Sequence, residues 1–577
     1  MISRPMTEHR PWFARYPEGV PRTLEPYPEI SAFSMLAGAA ERHPTKPAIA
    51  WFGRHLSYRE LLAETERFSA VLAGLGIRKG DRVGLVLPNS PQYVIAYYAT
   101  LRLGAIVVGN NPLYTQRELA HQLRDAGCKV VIVLDQLYPN VAAVRHDVGN
   151  PEVVVTRLTD YMPFPLNVLA PLKLRRDARR EGRPWPPVPE GAPVRWWRRL
   201  LREAGPTPPA AEVEPRTDPA GFIYTGGTTG LAKAAVLSHF NLVANARQCA
   251  AWFPDLGDGT DAMMCVLPFF HSYGMTVCMN LSVHRAAKMI LVPRFDLHMV
   301  LRQIQKEKPT LFPGVPRLYH ALNEAPETRR YDLRSIKACL SGAAPLPLAV
   351  AERFREVTGG ARLVEGYGLT ECSPVTHANP IYGRAKEGSI GLPLPDTDCK
   401  IVDLEDPDRV VPVGGEGELC IRGPQVMLGY WNRPEETALV IRNGWCHTGD
   451  VARMDEEGYF QIVDRIKEMI IVSGFNVYPT EVEQVLHRHP KVQKAAVIGV
   501  PDEVTGEAVK AFVVLKPGET ATAEEIIDWA RDPAQGLAGY RVPRFVEFRD
   551  SLPETMIGKV LRRVLLEEER RKAGASS

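Results

Sequence analysis

The chain has 577 residues, which is too long for one hydrophobic core and indicates several domains or subdomains. Its 45% apolar and 24% charged residues are typical of a globular protein, and its formal net charge of +3 argues against nucleic-acid binding. Nine scattered cysteines without a Cys-x-x-Cys pair argue against a zinc site and indicate a reducing compartment. No apolar stretch reaches the roughly 18 residues of a membrane span, so we expect a cytoplasmic protein.

Predicted helices and strands alternate after a proline-rich lead-in over residues 1–45. Ser57-x-x-Glu60 has the spacing of a capping box and predicts the start of a helix. Residues 83–87 and 129–134 are short apolar runs typical of buried strands, and residues 90–103 between them predict a helix. The alternation predicts an α/β fold in which helices flank mostly parallel sheets.

Residues 157–202 form an insertion of different composition, with eleven Arg or Lys against four acidic residues. It also carries Phe164 within an apolar stretch, Trp185 and the pair Trp196-Trp197. Basic residues beside exposed aromatic residues suit an anionic membrane surface. The alternative is a solvated insertion whose apolar residues fold onto the main domain.

An apolar strand over residues 221–224 runs into a segment of glycines, threonines and a lysine. Glycines let backbone N–H groups approach a ligand closely, and the hydroxyls and the ammonium group add donors and charge, so the segment predicts a phosphate-binding loop. It is not a Walker A loop, because alanines flank the lysine. An ordinary strand-to-helix turn is the alternative. The candidate ATP-binding residues here are Thr225, Gly226, Gly227, Thr228, Thr229, Gly230 and Lys233.

The stretch Tyr224 to Lys233 resembles the signature Tyr-Thr-Ser-Gly-Thr-Thr-Gly-x-Pro-Lys-Gly of adenylate-forming enzymes, which include acyl-CoA synthetases, peptide-synthetase adenylation domains and luciferases. It departs from that signature in a glycine for the serine, Ala232 for the proline and Ala234 for the last glycine. Further motifs of the family follow in order over nearly the whole chain. The resemblance implies a large N-terminal adenylation domain over residues 1–464 and a small, mobile α+β lid over residues 465–577.

Three motifs before residue 372 match the family's nucleotide and acyl sites. In Leu267 to Gly274, the resemblance places His271 at the carboxylate and the pantetheine channel, as a catalytic residue, and Tyr273 at the acyl pocket. Glu371 is matched to the Mg²⁺ ligand, and a carboxylate is a suitable hard ligand for that ion. The remaining assignments are adenine contacts at Gly342, Ala343 and Ala344, a base-stacking ring at Tyr367, a catalytic residue that contacts the α-phosphate at Thr370 and an acyl-pocket residue at Gly366.

The later motifs concern the ribose and the lid. Asp450 in Thr-Gly-Asp is matched to the ribose diol, a suitable partner for a carboxylate, and Arg465 to the ribose or phosphates. Lys467 is matched to the hinge pivot and Gly474 to the loop that faces the pantetheine arm. Lys559, in Pro-Glu-Thr-Met-Ile-Gly-Lys, aligns with the catalytic lysine, and Glu554 stands where the family has a lysine.

The resemblance is nearest to bacterial long-chain fatty-acid–CoA ligases, on the strength of Asn111 to Thr115 and the insertion. It implies an ATP- and Mg²⁺-dependent ligase that joins a long- or medium-chain fatty acid to coenzyme A through an acyl-AMP intermediate. An aryl-CoA ligase of the coumarate type and an acyl-AMP ligase that loads a carrier protein are alternatives within the fold. From another class, a non-catalytic, membrane-associated binder of acyl adenylates is a further alternative. The family also admits homodimers and peripheral contact with a membrane.

Overall fold

A computed structural model describes residues 10–180, 187–189, 191–225, 232–502, 504–535, 537, 539–554 and 560–575. Its α-helices are α1 (Phe33–Arg42), α2 (Tyr58–Gly74), α3 (Pro91–Arg102), α4 (Gln116–Ala126), α5 (Tyr138–Val144), α6 (Leu166–Arg180), α7 (Trp197–Arg202), α8 (His239–Trp252), α9 (Leu281–His284), α10 (Leu297–Glu307), α11 (Pro316–Glu324), α12 (Leu348–Thr358), α13 (Pro434–Val440), α14 (Pro479–His487), α15 (Ala523–Arg531) and α16 (Arg562–Ala575).

The strands are β1 (Pro47–Trp51), β2 (Arg54–Ser57), β3 (Arg82–Val86), β4 (Ile106–Gly109), β5 (Val130–Leu134), β6 (Glu152–Thr156), β7 (Val194–Trp196), β8 (Pro219–Thr225), β9 (Lys233–Ser238), β10 (Ala262–Cys265), β11 (Lys288–Leu291), β12 (Ala338–Ser341), β13 (Arg362–Gly368), β14 (Val375–Ala378), β15 (Leu392–Pro393), β16 (Asp398–Val402), β17 (Glu416–Arg422), β18 (Gly429–Tyr430), β19 (Ile441–Arg442), β20 (Trp445–Met454), β21 (Phe460–Arg465), β22 (Ile470–Val472), β23 (Phe475–Val477), β24 (Val492–Asp502), β25 (Gly506–Leu515) and β26 (Phe545–Phe548).

The largest sheet has eight strands in the order β18-β9-β8-β4-β3-β5-β6-β7. The six strands from β8 to β7 pair in parallel, and β9 and β18 are added antiparallel at one edge. Strand β5 is buried along its whole length, as is expected for a parallel strand covered on both faces. The predicted α/β class, with mostly parallel helix-flanked sheets, is confirmed.

The early helices begin as their sequences predict. Ser57 caps α2 in a complete capping box with Glu60, and Leu61, Phe68 and Leu72 on its inner face are buried. Helix α3 is buried at every position, which fits a helix enclosed between sheet and neighbouring helices.

Two smaller sheets carry the loops that follow in the chain. One has the order β10-β11-β1-β2, and the other the order β12-β13-β14-β15, in which β12 and β13 run parallel. An antiparallel sheet, β16-β17-β20-β19 with β21 beside β20, contains the hairpin formed by β20 and β21.

The C-terminal part forms a sheet of its own, β23-β22-β25-β24 with β26 parallel to β25. Helices α14 and α15 pack on one side of the sheet, where Val482 of α14 and Ile526 of α15 share a buried cluster with Ile470 of β22. Helix α16 packs on the other side through Leu565. The predicted small α+β unit is confirmed. Its boundary near residue 465 stays a prediction.

The structure adds detail to two irregular segments, and for two tryptophans of the insertion it favours folding onto the main domain over a membrane contact. The lead-in over residues 1–45 contains α1, whose Leu36 and Ala39 are completely buried. In the insertion, β7 adds a strand to the main sheet and Trp197 stacks on Phe68 with ring centroids 3.8 Å apart. Trp197 therefore belongs to the hydrophobic core, and the half-buried Trp196 packs against a second buried cluster. Trp185 lies outside the described residues.

Candidate active site

The two strands that flank the predicted phosphate loop pair with each other. Strands β8 and β9 pair antiparallel up to Thr225 and Lys233, and the hydroxyl of Thr225 lies 3.5 Å from the carbonyl oxygen of Lys233. A strand-to-helix turn, the alternative for this segment, is thus wrong. Gly226, Gly227, Thr228, Thr229 and Gly230 lie outside the described residues, so their phosphate contacts stay predictions.

Lys233 is held by a carboxylate and a ring. Its ammonium group forms an ion pair with Glu436 and lies 5.4 Å from the centre of the Tyr430 ring. Burial and the nearby charge of Lys467 lower the pKa of Lys233, and Glu371 opposes this shift. The predicted hinge lysine and the predicted metal carboxylate therefore both lie near the base of the loop.

A chain of charged groups connects the two sides of the hairpin. The Tyr224 hydroxyl donates to Asp125 at 2.8 Å, and Arg433 lies 3.1 Å from the other oxygen of Asp125. Arg433 also approaches Glu436 at 3.7 Å, and Glu436 pairs with Lys233. A phosphate group that binds Lys233 must therefore compete with an acidic side chain already in contact with it.

Glu371 lies in a short turn between β13 and β14. Its Oε1 accepts a hydrogen bond from the Tyr430 hydroxyl at 2.6 Å, and its backbone oxygen accepts one from Met427 N–H at 2.8 Å. Within the described chain, Oε2 has no hydrogen-bond partner. A half-buried carboxylate with one fixed and one available oxygen fits the chemistry of a Mg²⁺ ligand.

Thr370 and the aromatic-His segment meet beside Glu371. The hydroxyls of Thr370 and Ser272 lie 3.2 Å apart. His271 is half-buried, its Nδ1 accepts the Tyr273 N–H at 3.2 Å, and burial lowers its pKa to about 4. The imidazole is therefore neutral at physiological pH. The segment continues into a π-helical stretch, Gly274–Asn280, a feature frequent at functional sites.

At the predicted ribose site, the three predicted residues contact one another directly. Register in the β20–β21 hairpin places Asp450 opposite Arg465, and their side chains pair at 2.9 Å. The Tyr367 hydroxyl, from the end of β13, donates to the other oxygen of Asp450. The Asp450 carboxylate raises the pKa of Arg465, so this arginine stays charged.

The predicted adenine loop is shaped by close packing behind it. A side chain at Gly342 would put its Cβ 3.0 Å from the Tyr273 ring, and Ala343 has a positive φ of 69°. A Cβ at Gly366 would lie 2.8 Å from the side chain of Leu340. Tyr273 donates to the Leu340 carbonyl at 2.7 Å, which fixes its ring under the loop. Ala344 is half-buried in the same loop.

The two described residues assigned to the lid are exposed to solvent. Lys467 is exposed in a short 3-10 turn, and Gly474 lies at an exposed hairpin tip between β22 and β23 with φ of +82°. Lys559 lies outside the described residues.

Sequence reasoning missed the residues that hold the predicted ones. Tyr430, Ser272 and Glu436 contact Glu371, Thr370 and Lys233 from 59, 98 and 203 positions away. Their residue types carry no signal of their own, because tyrosine and glutamate are common in strands and helices. Pairing of β18 with β9 brings Tyr430 there, and that pairing is not readable from a two-residue strand.

The fold and site define a nucleotide-binding enzyme with a large α/β domain and a small C-terminal domain. Residues 36–431 match the family profile of the AMP-binding enzyme, and residues 481–559 match that of the AMP-binding enzyme C-terminal domain. The chain belongs to the AMP-binding enzyme family, and the resemblance inferred from its motifs is confirmed.

Curated relatives and solved structures match almost the whole chain. It is 46% identical to a long-chain-fatty-acid–CoA ligase of Bacillus subtilis, covering 98% of this chain and 99% of that one. A protein of the same description from Escherichia coli O157:H7 is 41% identical, with 97% and 98% covered. The crystal structure of ATP-bound MatB from Rhodopseudomonas palustris superposes with a TM-score of 0.80 at 30% identity, covering 93% of this chain and 99% of that one. The predicted enzyme class agrees with these relatives.

Proposed function

We propose that the protein is an AMP-forming acid–thiol ligase that joins a long-chain fatty acid to coenzyme A. The observation that carries this proposal is the convergence of Tyr367, Asp450 and Arg465 on one side of the site with Thr370, Glu371 and Lys233 on the other. The ring and charged groups of the first set can bind the base and ribose of a nucleoside. The hydroxyl, carboxylate and ammonium group of the second set can bind its phosphates and their metal ion. The full-length relatives of this description supply the acyl substrate and the thiol.

In the first half-reaction the fatty-acid carboxylate attacks the α-phosphorus of ATP, forming acyl-AMP and releasing pyrophosphate. The carboxylate is already ionised at neutral pH, so the step needs positioning and charge neutralisation rather than a base. Asp450 and Arg465 hold the ribose end, Thr370 contacts the α-phosphate, and Lys233 exchanges Glu436 for a phosphate oxygen. Lys559 bridges the carboxylate and the α-phosphate.

Mg²⁺ bound at Glu371 would neutralise phosphate charge. Tyr430 keeps that carboxylate in place by occupying one of its oxygens. Because the hydrogen bond leaves Oε2 available, Glu371 would offer this oxygen to the ion, with phosphate oxygens and water as the other ligands.

In the second half-reaction the thiol of coenzyme A attacks the acyl carbonyl, a C–S bond replaces the C–O bond to AMP, and the thiol proton is lost. The small domain turns about Lys467, so that Lys559 withdraws and the hairpin tip at Gly474 faces the site. Such a hinge motion is an ordinary device of enzymes with two half-reactions. His271, neutral because burial lowers its pKa, borders the thiol channel without adding charge.

Helix α6 supports a peripheral membrane contact. None of its residues is buried, apolar side chains fill its first half and basic ones its second half. Phe164 is 83% exposed and Leu172 is 60% exposed. Such a helix can insert its apolar part between lipids while its arginines contact anionic headgroups. Among the described residues, no helix combines the length and apolarity needed to cross a bilayer. A homodimer remains a prediction from the family resemblance.

The deciding experiment measures pyrophosphate release with ATP and Mg²⁺ across fatty acids of about 6 to 18 carbons and coumarate, with and without coenzyme A. We expect turnover that requires coenzyme A and peaks at long chains. Release that ignores coenzyme A, with acyl-AMP accumulating, would identify an acyl-AMP ligase instead. A preference for coumarate would identify an aryl-CoA ligase. Absence of pyrophosphate release with every substrate would identify a non-catalytic binder of acyl adenylates.

A further inference from the structure

Asp450 lies in a bulge of strand β20, where the pairing register with β17 shifts. Across the β17–β20 pair, Glu418 faces Val451 and Cys420 faces His447, so residues 448–450 lie opposite Leu419 alone. The three residues form a bulge, and bulges commonly re-aim a side chain next to an active site. Asp450, the residue proposed to bind the ribose, is the last residue of this bulge.

Glu418 holds the bulge with both of its carboxylate oxygens. Its Oε1 accepts the N–H of Gly449 at 3.0 Å, and its Oε2 lies 2.7 Å from Nδ1 of His447. A carboxylate only accepts hydrogen bonds, so His447 carries its proton on Nδ1. Both side chains are largely buried, with 14% and 6% of their surfaces exposed. Glu418 is therefore tied to the middle of the bulge and to the residue that precedes it.

The bulge is closed further by its own threonine. The Thr448 hydroxyl donates to the Leu419 carbonyl at 2.8 Å and accepts the N–H of Asp450 at 3.1 Å. Gly449 has a φ of +71°, a conformation that glycine adopts without strain. With Thr448 and Gly449 fixed, the direction of the Asp450 side chain toward Tyr367 and Arg465 is determined.

Glu418, Cys420 and His447 also resemble a metal-ligand set, because their ligand atoms lie within 4.8 Å of one another. However, the Nδ1 position that would bind a metal is already used by Glu418, and the Cys420 sulfur is 3.4 Å from it. Burial raises the pKa of the Cys420 thiol to about 12, so it is not a thiolate. The hydrogen-bonded arrangement is self-consistent without an ion.

We propose that Glu418, with His447 as its partner, is a positioning residue that fixes Asp450 for recognition of the ATP ribose. The inference rests on the proposed function, which gives Asp450 its ribose contact. It predicts that loss of the Glu418 hydrogen bonds weakens nucleotide recognition at the ribose and leaves the acyl site unchanged.

The test compares Glu418→Gln with Glu416→Gln, an acidic residue two positions earlier on the same strand, which is exposed at the sheet end and lies 3.9 Å from Arg453. Glutamine keeps one acceptor oxygen but puts an N–H₂ group where the second acceptor is needed. We expect the KM for ATP to rise about tenfold in Glu418→Gln, as for loss of one hydrogen bond to a charged group. The KM for the fatty acid should stay within about twofold, and Glu416→Gln should match the wild type.

The readout that separates positioning from simple destabilisation uses 2′-deoxy-ATP and 3′-deoxy-ATP. The wild type should prefer ATP over the deoxy analogues, and in Glu418→Gln this preference should shrink several-fold. An undiminished preference in Glu418→Gln would overturn the inference while leaving the ligase assignment intact. A wild type without any preference would overturn the ribose role of Asp450 together with the inference. Absence of any ATP-dependent turnover would instead mean that the proposed function fails.

If the melting temperature shows that Glu418→Gln does not fold, two variants of His447 test the proposal instead. His447→Asn keeps a donor near the Nδ1 position and should retain the ribose preference. His447→Ala lacks the donor and should lose it. Equal preference in the two variants would overturn the proposal.

Discussion

Three acidic residues of the site differ in chemistry because their surroundings differ. Asp450 forms an ion pair with Arg465 at 2.9 Å and accepts a hydrogen bond from Tyr367. Glu371 has one oxygen occupied by Tyr430 and one available. Glu365 is enclosed without a cation, and burial raises its pKa to about 7, although it accepts the Leu346 N–H at 2.8 Å. A sequence motif indicates such residues, but Tyr430, which holds Glu371, comes from a strand 59 positions further along the chain.

Glu365→Gln should remove a pH-dependent loss of stability. Because the pKa of Glu365 is raised in the folded state, ionisation opposes folding, and the wild type loses stability as the pH rises from about 4.5 to about 7. We expect the melting temperature of the variant, relative to wild type, to increase across that range and then level off. Differential scanning fluorimetry measures it, with Glu352→Gln on the exposed face of α12 as the control. A pH-independent difference would contradict the assignment.

Tyr430→Phe should weaken the metal site without changing its shape. The substitution removes the 2.6 Å hydrogen bond to Glu371 Oε1, worth about 1 kcal/mol or somewhat more. We expect kcat/KM for pyrophosphate release to fall about five- to tenfold and the Mg²⁺ concentration for half-maximal rate to rise. Tyr331→Phe, at the start of a loop before β12, is the control. An unchanged Mg²⁺ requirement would show that Tyr430 does not support the ion.

Lys559→Ala should separate the two half-reactions. Removing the lysine takes away the charge that bridges the fatty-acid carboxylate and the α-phosphate, so adenylation should be abolished while thioester formation from supplied acyl-AMP is largely kept. Lys572→Ala on α16 should leave both half-reactions unchanged. Equal loss of the two activities would refute the role assigned to Lys559.

At the scale of elements, the sequence predicted those helices and strands whose bounds are set by residues close together in the chain. The capping box at Ser57 and the apolar runs of β3 and β5 are local, and the structure has them within one residue of the predicted bounds. The insertion was predicted less well, because composition does not tell which tryptophan finds a partner. Trp197 stacks on Phe68 of α2, 129 positions away, whereas the apolar residues of α6 have no such partner in the described structure.

Helix α6 should bind anionic vesicles through its apolar half. We expect the double variant Leu169→Ser/Leu172→Ser to reduce co-sedimentation with phosphatidylglycerol vesicles about tenfold or more, because roughly 2 kcal/mol of insertion energy is lost per leucine at most. Activity on a short, water-soluble fatty acid should stay within about twofold. Leu439→Ser, an exposed leucine of α13, serves as the control. Unchanged co-sedimentation would show that α6 does not contact the membrane.

At the scale of the whole molecule, the candidate site exists because loops from separate sheets meet. Glu371 follows β13, Asp450 and Arg465 lie on β20 and β21, and Lys233 begins β9. The order of motifs along the chain predicted their membership in one site through the family resemblance. Physical reasoning from the sequence could not assemble them, since the pairing of β18 with β9 and the bulge in β20 are decided by long-range packing.

The same scale governs the proposed movement of the small domain, which must break the contacts that now join it to the large one. Arg317 of α11 lies 3.7 Å from Glu554, and Thr480 N–H donates to Asp464 at 2.7 Å. Glu554 is the second residue of the motif that ends in Lys559, and we predict that its contact with Arg317 favours the orientation that delivers this lysine. Arg317 is exposed, whereas Glu554 is largely buried and also pairs with Lys494. Arg317→Glu replaces the attraction by repulsion, and an ion pair with one exposed partner is worth about 0.5–1 kcal/mol.

We therefore expect Arg317→Glu to slow adenylation about two- to fivefold and to leave thioester formation from acyl-AMP unchanged or faster, because the orientation for the second step is no longer in competition with this contact. Single-turnover assays of the two half-reactions measure this, with Arg302→Glu on the exposed face of α10 as the control for added negative charge. Equal slowing of both half-reactions would mean that the substitution acts on the large domain itself. It would also mean that the contact with Glu554 plays no part in the choice between orientations.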